Sequence, residues 1–110
     1  MFEFYVDMHV ISKSTLVAFW NKEPLAEQGL RVWYDQTTKT RWKSPSELKN
    51  QFRSASIISN KRVVFNIHGN MYRLIVDIEY RLQLIFVVWV GTHKAYDLID
   101  VRKVKYVKAD

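Results

Sequence analysis

The sequence contains no cysteine at all, and only 3 glycines and 2 prolines. The missing thiol excludes disulfides, thiol catalysis and cysteine-based zinc sites together, so the fold must stand on its hydrophobic core. So little Gly and Pro leaves no stretch that reads as a linker or a low-complexity tract. Long apolar runs are missing too. The longest, Leu84 to Val90, falls far short of the roughly 20 residues a membrane span needs. No basic start followed by an apolar stretch and a small-residue cleavage site opens the chain, so a secretory signal is not expected and a cytoplasmic location is. His9, His68 and His93 show no ligand spacing, and no glycine-rich phosphate loop is present. Neither a metal site nor a cofactor is therefore expected.

Acidic residues are also in short supply. Lys and Arg number 17 against 11 Asp and Glu, a formal charge of +6. From Arg31 to Arg62 the cations are Arg31, Lys39, Arg41, Lys43, Lys49, Arg53, Lys61 and Arg62, opposed only by Asp35 and Glu47. Arg102, Lys103, Lys105 and Lys108 form a second cluster near the end of the chain. Such a field attracts polyanions by releasing their counterions, and nucleic acid is the commonest polyanion in a cell. The bland alternative is a solvated basic surface that serves solubility.

With 110 residues the chain is long enough for one modest core, and a single domain over 1–110 is expected. Met8 could be a second start, which makes 1–7 (MFEFYVD) a candidate N-terminal extension, although Phe4 to Val6 could lengthen a short strand at His9-Val10-Ile11. Ser14 reads as an N-cap before Leu16, Phe19 and Trp20 at helical spacing. Pro24 suits the first turn of a second helix, whose apolar face would be Leu25, Gly29, Val32 and Trp33, with Gly29 allowing close helix–helix approach. Ser44-Pro45-Ser46-Glu47 is a capping box, and the short helix it opens would turn Leu48 and Phe52 inward.

The second half changes period. Val63, Phe65 and Ile67 alternate with Arg62, Val64 and Asn66, and Tyr72 to Tyr80 alternate likewise after a turn at His68-Gly69-Asn70. Leu84 to Val90 is apolar on both faces, as a covered central strand would be. Gly91 breaks it, and Thr92 caps a short helix from His93 to about Asp100. The expected fold class is α+β, a compact antiparallel meander flanked by helices on one face. If Phe65 and Leu74 face those helices, the other face carries Arg62, Asn66, Arg73, Asp77 and Glu79, and the last strand delivers Thr92, His93, Lys94 and Tyr96 to the end of the same sheet.

That convergence suggests chemistry. RNA carries its own nucleophile, the 2′-hydroxyl, and a protein can cleave it without metal by aligning that oxygen with the phosphorus. The reaction needs a proton acceptor, cations on the phosphorane and an acid for the leaving 5′ oxygen. Arg73 fits the cationic role through its planar fork, while His93, Lys94 and Tyr96 are candidates for proton transfer. Each has a structural alternative: His93 can merely start a helix, Arg73 can pair with Asp77, and Tyr96 and Tyr72 can be edges of the core. Trp33, Tyr34 and Trp42 could stack on bases, but tryptophans along helices are more often core. Asp77 and Glu79, two residues apart on one strand, could instead hold a metal, a weaker signal than an exposed edge neutralised by arginine.

The stretch Arg62-Val63-Val64-Phe65-Asn66-Ile67-His68-Gly69-Asn70-Met71-Tyr72-Arg73-Leu74, followed by Gly91-Thr92-His93-Lys94-Ala95-Tyr96-Asp97, resembles the HigB branch of the RelE-like toxins. Upstream, Trp42-Lys43-Ser44-Pro45 with Leu48-Lys49 is similar to their middle helices, so the resemblance runs from about Met8 to Val101. It implies a RelE-like fold and a toxin of a type II toxin–antitoxin system. It also implies a metal-independent messenger-RNA endonuclease (an mRNA interferase) acting on translating ribosomes. The partner it implies is a HigA-like antitoxin with a helix-turn-helix domain. Position by position, Arg73 matches the family's strand arginine, Asn66 and Asn70 its hairpin asparagines, and His93, Lys94 and Tyr96 its terminal motif. With Lys61, Arg62, Lys43 and Arg41, the two asparagines make up the expected RNA-binding set. The alternative function is a non-catalytic RNA- or ribosome-binding module. A metal nuclease built on Asp77 and Glu79 should lose its activity in EDTA, whereas the metal-free enzyme expected here should keep cutting RNA in the chelator.

Overall fold

The computed structural model describes residues 7–106. Phe4 to Val6, considered above as a strand extension, and Lys108 lie outside that range. The strands are β1 (His9–Ile11), β2 (Ser56–Ile57), β3 (Arg62–Ile67), β4 (Tyr72–Glu79) and β5 (Leu84–Thr92). The helices are α1 (Lys13–Lys22), α2 (Glu27–Thr37), α3 (Pro45–Gln51) and α4 (His93–Tyr96), with a 3-10 turn at Pro24–Ala26. One sheet in the order β1-β5-β4-β3-β2 joins all five strands.

β3 to β5 form the expected antiparallel meander; β2, a two-residue strand not expected from the sequence, extends it beside β3, and β1 adds a parallel edge strand beside β5. Three residues paired with a strand more than 70 positions away leave no local trace in sequence, so this pairing was not anticipated. The α+β class holds with a mixed sheet. In the β3–β4 hairpin, His68 and Gly69 both have left-handed backbones (φ 52° and 62°), as the His-Gly-Asn turn chemistry suggested.

The alternation in β3 and β4 is explained by two cores, one on each face. Leu16, Trp20, Ala26, Leu30, Trp33 and Leu48 pack with Val63, Phe65, Leu74 and Val76 on the first face. Phe65 is its hub, with ring centroids 5.4 Å from Trp33 and 5.1 Å from Phe52, both edge-on. Contacts of this kind add about 1 kcal/mol each to the burial itself. Trp42 stacks on the same ring at 6.3 Å.

Several helix expectations need correcting. α1 starts at Lys13, not after Ser14; the cap position falls to Ser12, whose backbone is left-handed (φ 73°) and whose side chain makes no cap bond. On α2 the buried face is Leu30, Trp33 and Thr37, continuing Ala26, while Leu25 and Val32 are 64% and 47% exposed. Gly29 does allow close approach, but to a strand: an added Cβ would sit 2.9 Å from Ile67 Cγ2 and 3.2 Å from the His68 nitrogen. At α3 the box forms with a shift. Ser44 Oγ accepts from the Glu47 nitrogen at 3.4 Å, and the Glu47 carboxylate accepts from Lys43 rather than from Ser44.

The second face is not left open to solvent. Val64, Ile75 and Val88 form a small core that Tyr96, Ile99, Val101 and Val104 cover. α4 ends at Tyr96, and the chain continues as an irregular segment laid across this face. Arg62 fastens it: Nε and Nη2 each donate to an Asp77 carboxylate oxygen at 2.8 Å, and Nη1 donates to the carbonyls of Val101 and Val104. The hydrogen bonds that Arg62 donates to Asp77 raise its pKa despite the burial that opposes charge.

β5 carries one irregularity with consequences. Ile75 opposes Trp89 while Val76 opposes Val87, so Val88 is an extra residue. Such a bulge reverses which residues face each side. Before it Ile85 and Val87 face the helices; after it Val90 does, and Trp89 and Gly91 turn to the other face.

Replacing Asp77 by Asn should strand a guanidinium whose side chain is only 13% exposed, costing roughly 1–3 kcal/mol in urea unfolding. Hydrogen exchange at 101–104 should rise with it. Unchanged stability and exchange would mean that the clamp does not hold the segment down.

Candidate active site

At the hairpin end of the sheet one rung crosses three strands: Asn66 on β3 opposes Arg73 on β4, which opposes Gly91 on β5. The bulge puts Gly91 on the Arg73 face, and Gly91 has no side chain because Trp89 occupies the space. A Cβ there would fall 2.4 Å from Trp89 Cη2 and 2.5 Å from Cζ2. The indole thus lies across the glycine. Its ring centroid is 6.3 Å from that of Tyr96, and the Arg73 guanidinium carbon stands 5.9 Å from the Tyr96 centroid. A cation over an aromatic face at this range is attracted by roughly 0.5–1 kcal/mol where partly exposed.

Arg73 is aimed by its own turn. Nη1 donates to the Asn70 carbonyl at 3.2 Å and to the Tyr72 carbonyl at 3.1 Å. Its Nε and Nη2 have no partner among the described residues, so part of the guanidinium stays open to an oxyanion. Asp77, the alternative partner for Arg73, is taken by Arg62.

The second strand end reaches the same place. Thr92 opposes Tyr72, and its hydroxyl accepts from the Ala95 nitrogen at 3.1 Å, the cap anticipated for α4. The His93 nitrogen donates to the Met71 carbonyl at 2.9 Å, tying α4 to the hairpin that holds Arg73. His93 and Lys94 are exposed and Tyr96 is half-buried. His93 Nε2 lies 3.6 Å from Asp97 Oδ1, one turn away and too long for a good hydrogen bond. The site therefore offers a fixed guanidinium, a phenol beside it, and an imidazole and an ammonium at the rim.

The residues singled out in sequence fall into two groups. Arg73, His93, Lys94, Tyr96, Asn66 and Asn70 gather at the hairpin end. Lys61, Arg41 and Lys43 line a groove at the other end of the strands. Arg62, next to them, lies four residues down β3 from Asn66, about 13 Å away, and its donors are spent on Asp77 and the covering segment. Trp33, Trp42 and Tyr72 are each 2% exposed, so all three belong to the core. Burial also raises the Tyr72 pKa, with a smaller contribution from Glu23. Sequence reasoning missed Trp89 and treated Gly91 as a strand breaker; their use as a pair depends on the bulge. The only available signal was a Trp-Val-Gly run directly before the Thr92 cap.

What these elements define is a small basic α+β protein with an oxyanion-ready cleft at one end of its sheet. The family model described as the HigB toxin, the RelE-like toxic component of a toxin–antitoxin system, matches residues 26–99, and the chain belongs to that family. The match runs from the 3-10 turn through α4 and so contains every member of the cleft. The mRNA interferase toxin HigB of Escherichia coli (strain K12) is 30% identical over 92 residues, spanning 82% of this chain and 88% of the relative. The mRNA interferase HigB proteins of Escherichia coli O157:H7 and Shigella flexneri match to the same extent. A toxic component of such a system has an antitoxin as its partner. No helix among the described residues is long and apolar enough to cross a membrane.

Gly91→Ala should push Trp89 off the strand and with it the support under Tyr96. The variant should lose growth inhibition on expression by on the order of 10²-fold, while circular dichroism still shows a cooperative melt. Full toxicity in a folded Gly91→Ala protein would mean that the Trp89 placement does not matter.

Proposed function

We propose that this toxin is a metal-independent mRNA endonuclease that works by 2′-hydroxyl attack on translating ribosomes. The relatives' names supply the substrate. The observation that carries the reading is the shared cleft: the open donors of Arg73 beside Tyr96, with α4 locked to the same hairpin through Met71. An mRNA backbone laid across the Asn66–Arg73–Gly91 rung puts a phosphate against Arg73. Asn66 and Asn70 supply amides for the flanking ribose and base.

In the reaction the 2′ oxygen gives up its proton and forms a bond to phosphorus while the bond from phosphorus to the 5′ oxygen breaks. That oxygen takes a proton as it leaves. The products are a 2′,3′-cyclic phosphate, open to hydrolysis to a 3′-phosphate, and a free 5′-hydroxyl. Arg73 neutralises charge on the phosphorane, and His93, Lys94 and Tyr96 supply the proton-transfer groups. Arg62 is assigned to holding the sheet face rather than to RNA. The chain acts as a single domain in the cytoplasm and is neutralised by a HigA-like antitoxin with a helix-turn-helix domain.

Expression of the wild type should arrest growth and cut mRNA, and Arg73→Ala should lower cleavage by about 10²–10³-fold and relieve the arrest. Arrest with message intact would overturn the nuclease reading. Cleavage-independent toxicity that survives His93→Ala and Tyr96→Ala together would favour an RNA- or ribosome-binding module instead.

A further inference from the structure

A groove of about 810 Å³ lies at the end of the sheet remote from the cleft. Its lining includes Arg41, Lys43, Lys61 and Arg81, opposed by one carboxylate, Glu79. Arg41 pairs with Asp7 at 2.9 Å. Among the described residues Lys43, Lys61 and Arg81 have no acidic partner, and all three are exposed. Three cations without an ion pair, against one carboxylate, leave the concavity net positive, an arrangement that an anionic ligand would relieve. Two polar atoms in the lining residues, Tyr80 Oη and Gln83 Oε1, are buried without a hydrogen-bond partner.

The covering segment runs from the cleft toward the groove end of the sheet, as far as Arg62 beside Lys61. It leaves α4 at Tyr96, crosses the second sheet face, and reaches Arg62 through the Val101 and Val104 carbonyls. Arg102 donates to the Ile58 carbonyl at 3.2 Å there, and Lys103 and Lys105 remain exposed. Cations therefore occur at the cleft, along the segment and at the groove, at a reach of more than about 13 Å. A short acidic peptide would need only one of these places. A single-stranded phosphodiester backbone carries charge at every residue and would use all three.

Resting on the endonuclease reading, we propose that the groove of Lys43, Lys61 and Arg81 is a second anchoring site for the RNA backbone, holding the strand several nucleotides from the cleavage point. The cleft alone then grips short RNA, and the groove adds affinity only for strands long enough to span the sheet.

The test uses fluorescent single-stranded 2′-O-methyl oligonucleotides, which lack the attacking hydroxyl and stay intact, of about 6 and about 18 nucleotides. By anisotropy the wild type should bind the longer one at least about 10-fold more tightly. In the Lys43→Gln, Lys61→Gln, Arg81→Gln triple variant that advantage should vanish, and the salt slope for the longer strand should fall by about 2, at about 0.7 per phosphate contact for single strands. Equal affinity for both lengths in the wild type overturns the groove while leaving the cleft reading intact. So does an unchanged length advantage in the folded triple variant, or a polyglutamate peptide that wild type binds more tightly than the longer RNA. Loss of mRNA cleavage activity is a separate failure, read by the Arg73→Ala comparison.

Discussion

The cleft depends on one extra residue. Val88 has no opposite number on β4, and that single insertion changes the parity of β5. Upstream, Ile85 and Val87 face the helices; downstream, Trp89 and Gly91 face away from them, toward Arg73. A regular strand would have set the indole opposite Leu74 on the helix side and Val90 beside the arginine. The bulge thus lets one strand keep Val90 in the main core while Trp89 and Gly91 floor a polar site on the other face.

The packing around the bulge explains why the site can be rigid while sitting at a sheet end. Trp89 lies over Gly91, Tyr96 against Trp89, and Arg73 against Tyr96. Each contact is worth little alone. Together with the carbonyl acceptors of Asn70 and Tyr72, they leave the guanidinium few other positions. The segment after α4 completes the support from outside, clamped by a partly buried arginine–aspartate pair. An ion pair of this kind contributes more to defining one arrangement than to net stability, because desolvation offsets much of the attraction.

The molecule also separates its cations by task. Arg62 is bound to Asp77 and the covering segment, Arg73 is aimed but left partly open, and Lys43, Lys61 and Arg81 surround a remote groove. In the linear sequence these residues look alike, a broad basic field. Membership of the RelE-like HigB toxins accounts for a basic surface in general terms; the division into clamp, cleft and groove belongs to this fold's registers and turns.

Much was legible in advance where the cause is local. The alternation of Val63, Phe65 and Ile67, the Ser44-Pro45 start, the His68-Gly69 turn and the Thr92 cap all follow from the preferences of a few adjacent residues, and so does the junction that brings Arg73 and His93 to one end. Expectations drifted where a distant partner decides. On α2 the expected Gly29 and Trp33 do face inward, but Ala26 and Leu30 take the buried places expected for Leu25 and Val32, and β1 pairs with a strand it could not signal. By itself, then, the sequence determined the α+β class, most of the element types and the basic field, since period, caps and composition are short-range properties. Only the tertiary structure decided which arginine is spent and which is open, that Trp89 supports the cleft, and that Lys61 lies far from Arg73. Those outcomes depend on strand register, and one unpaired residue is enough to change it.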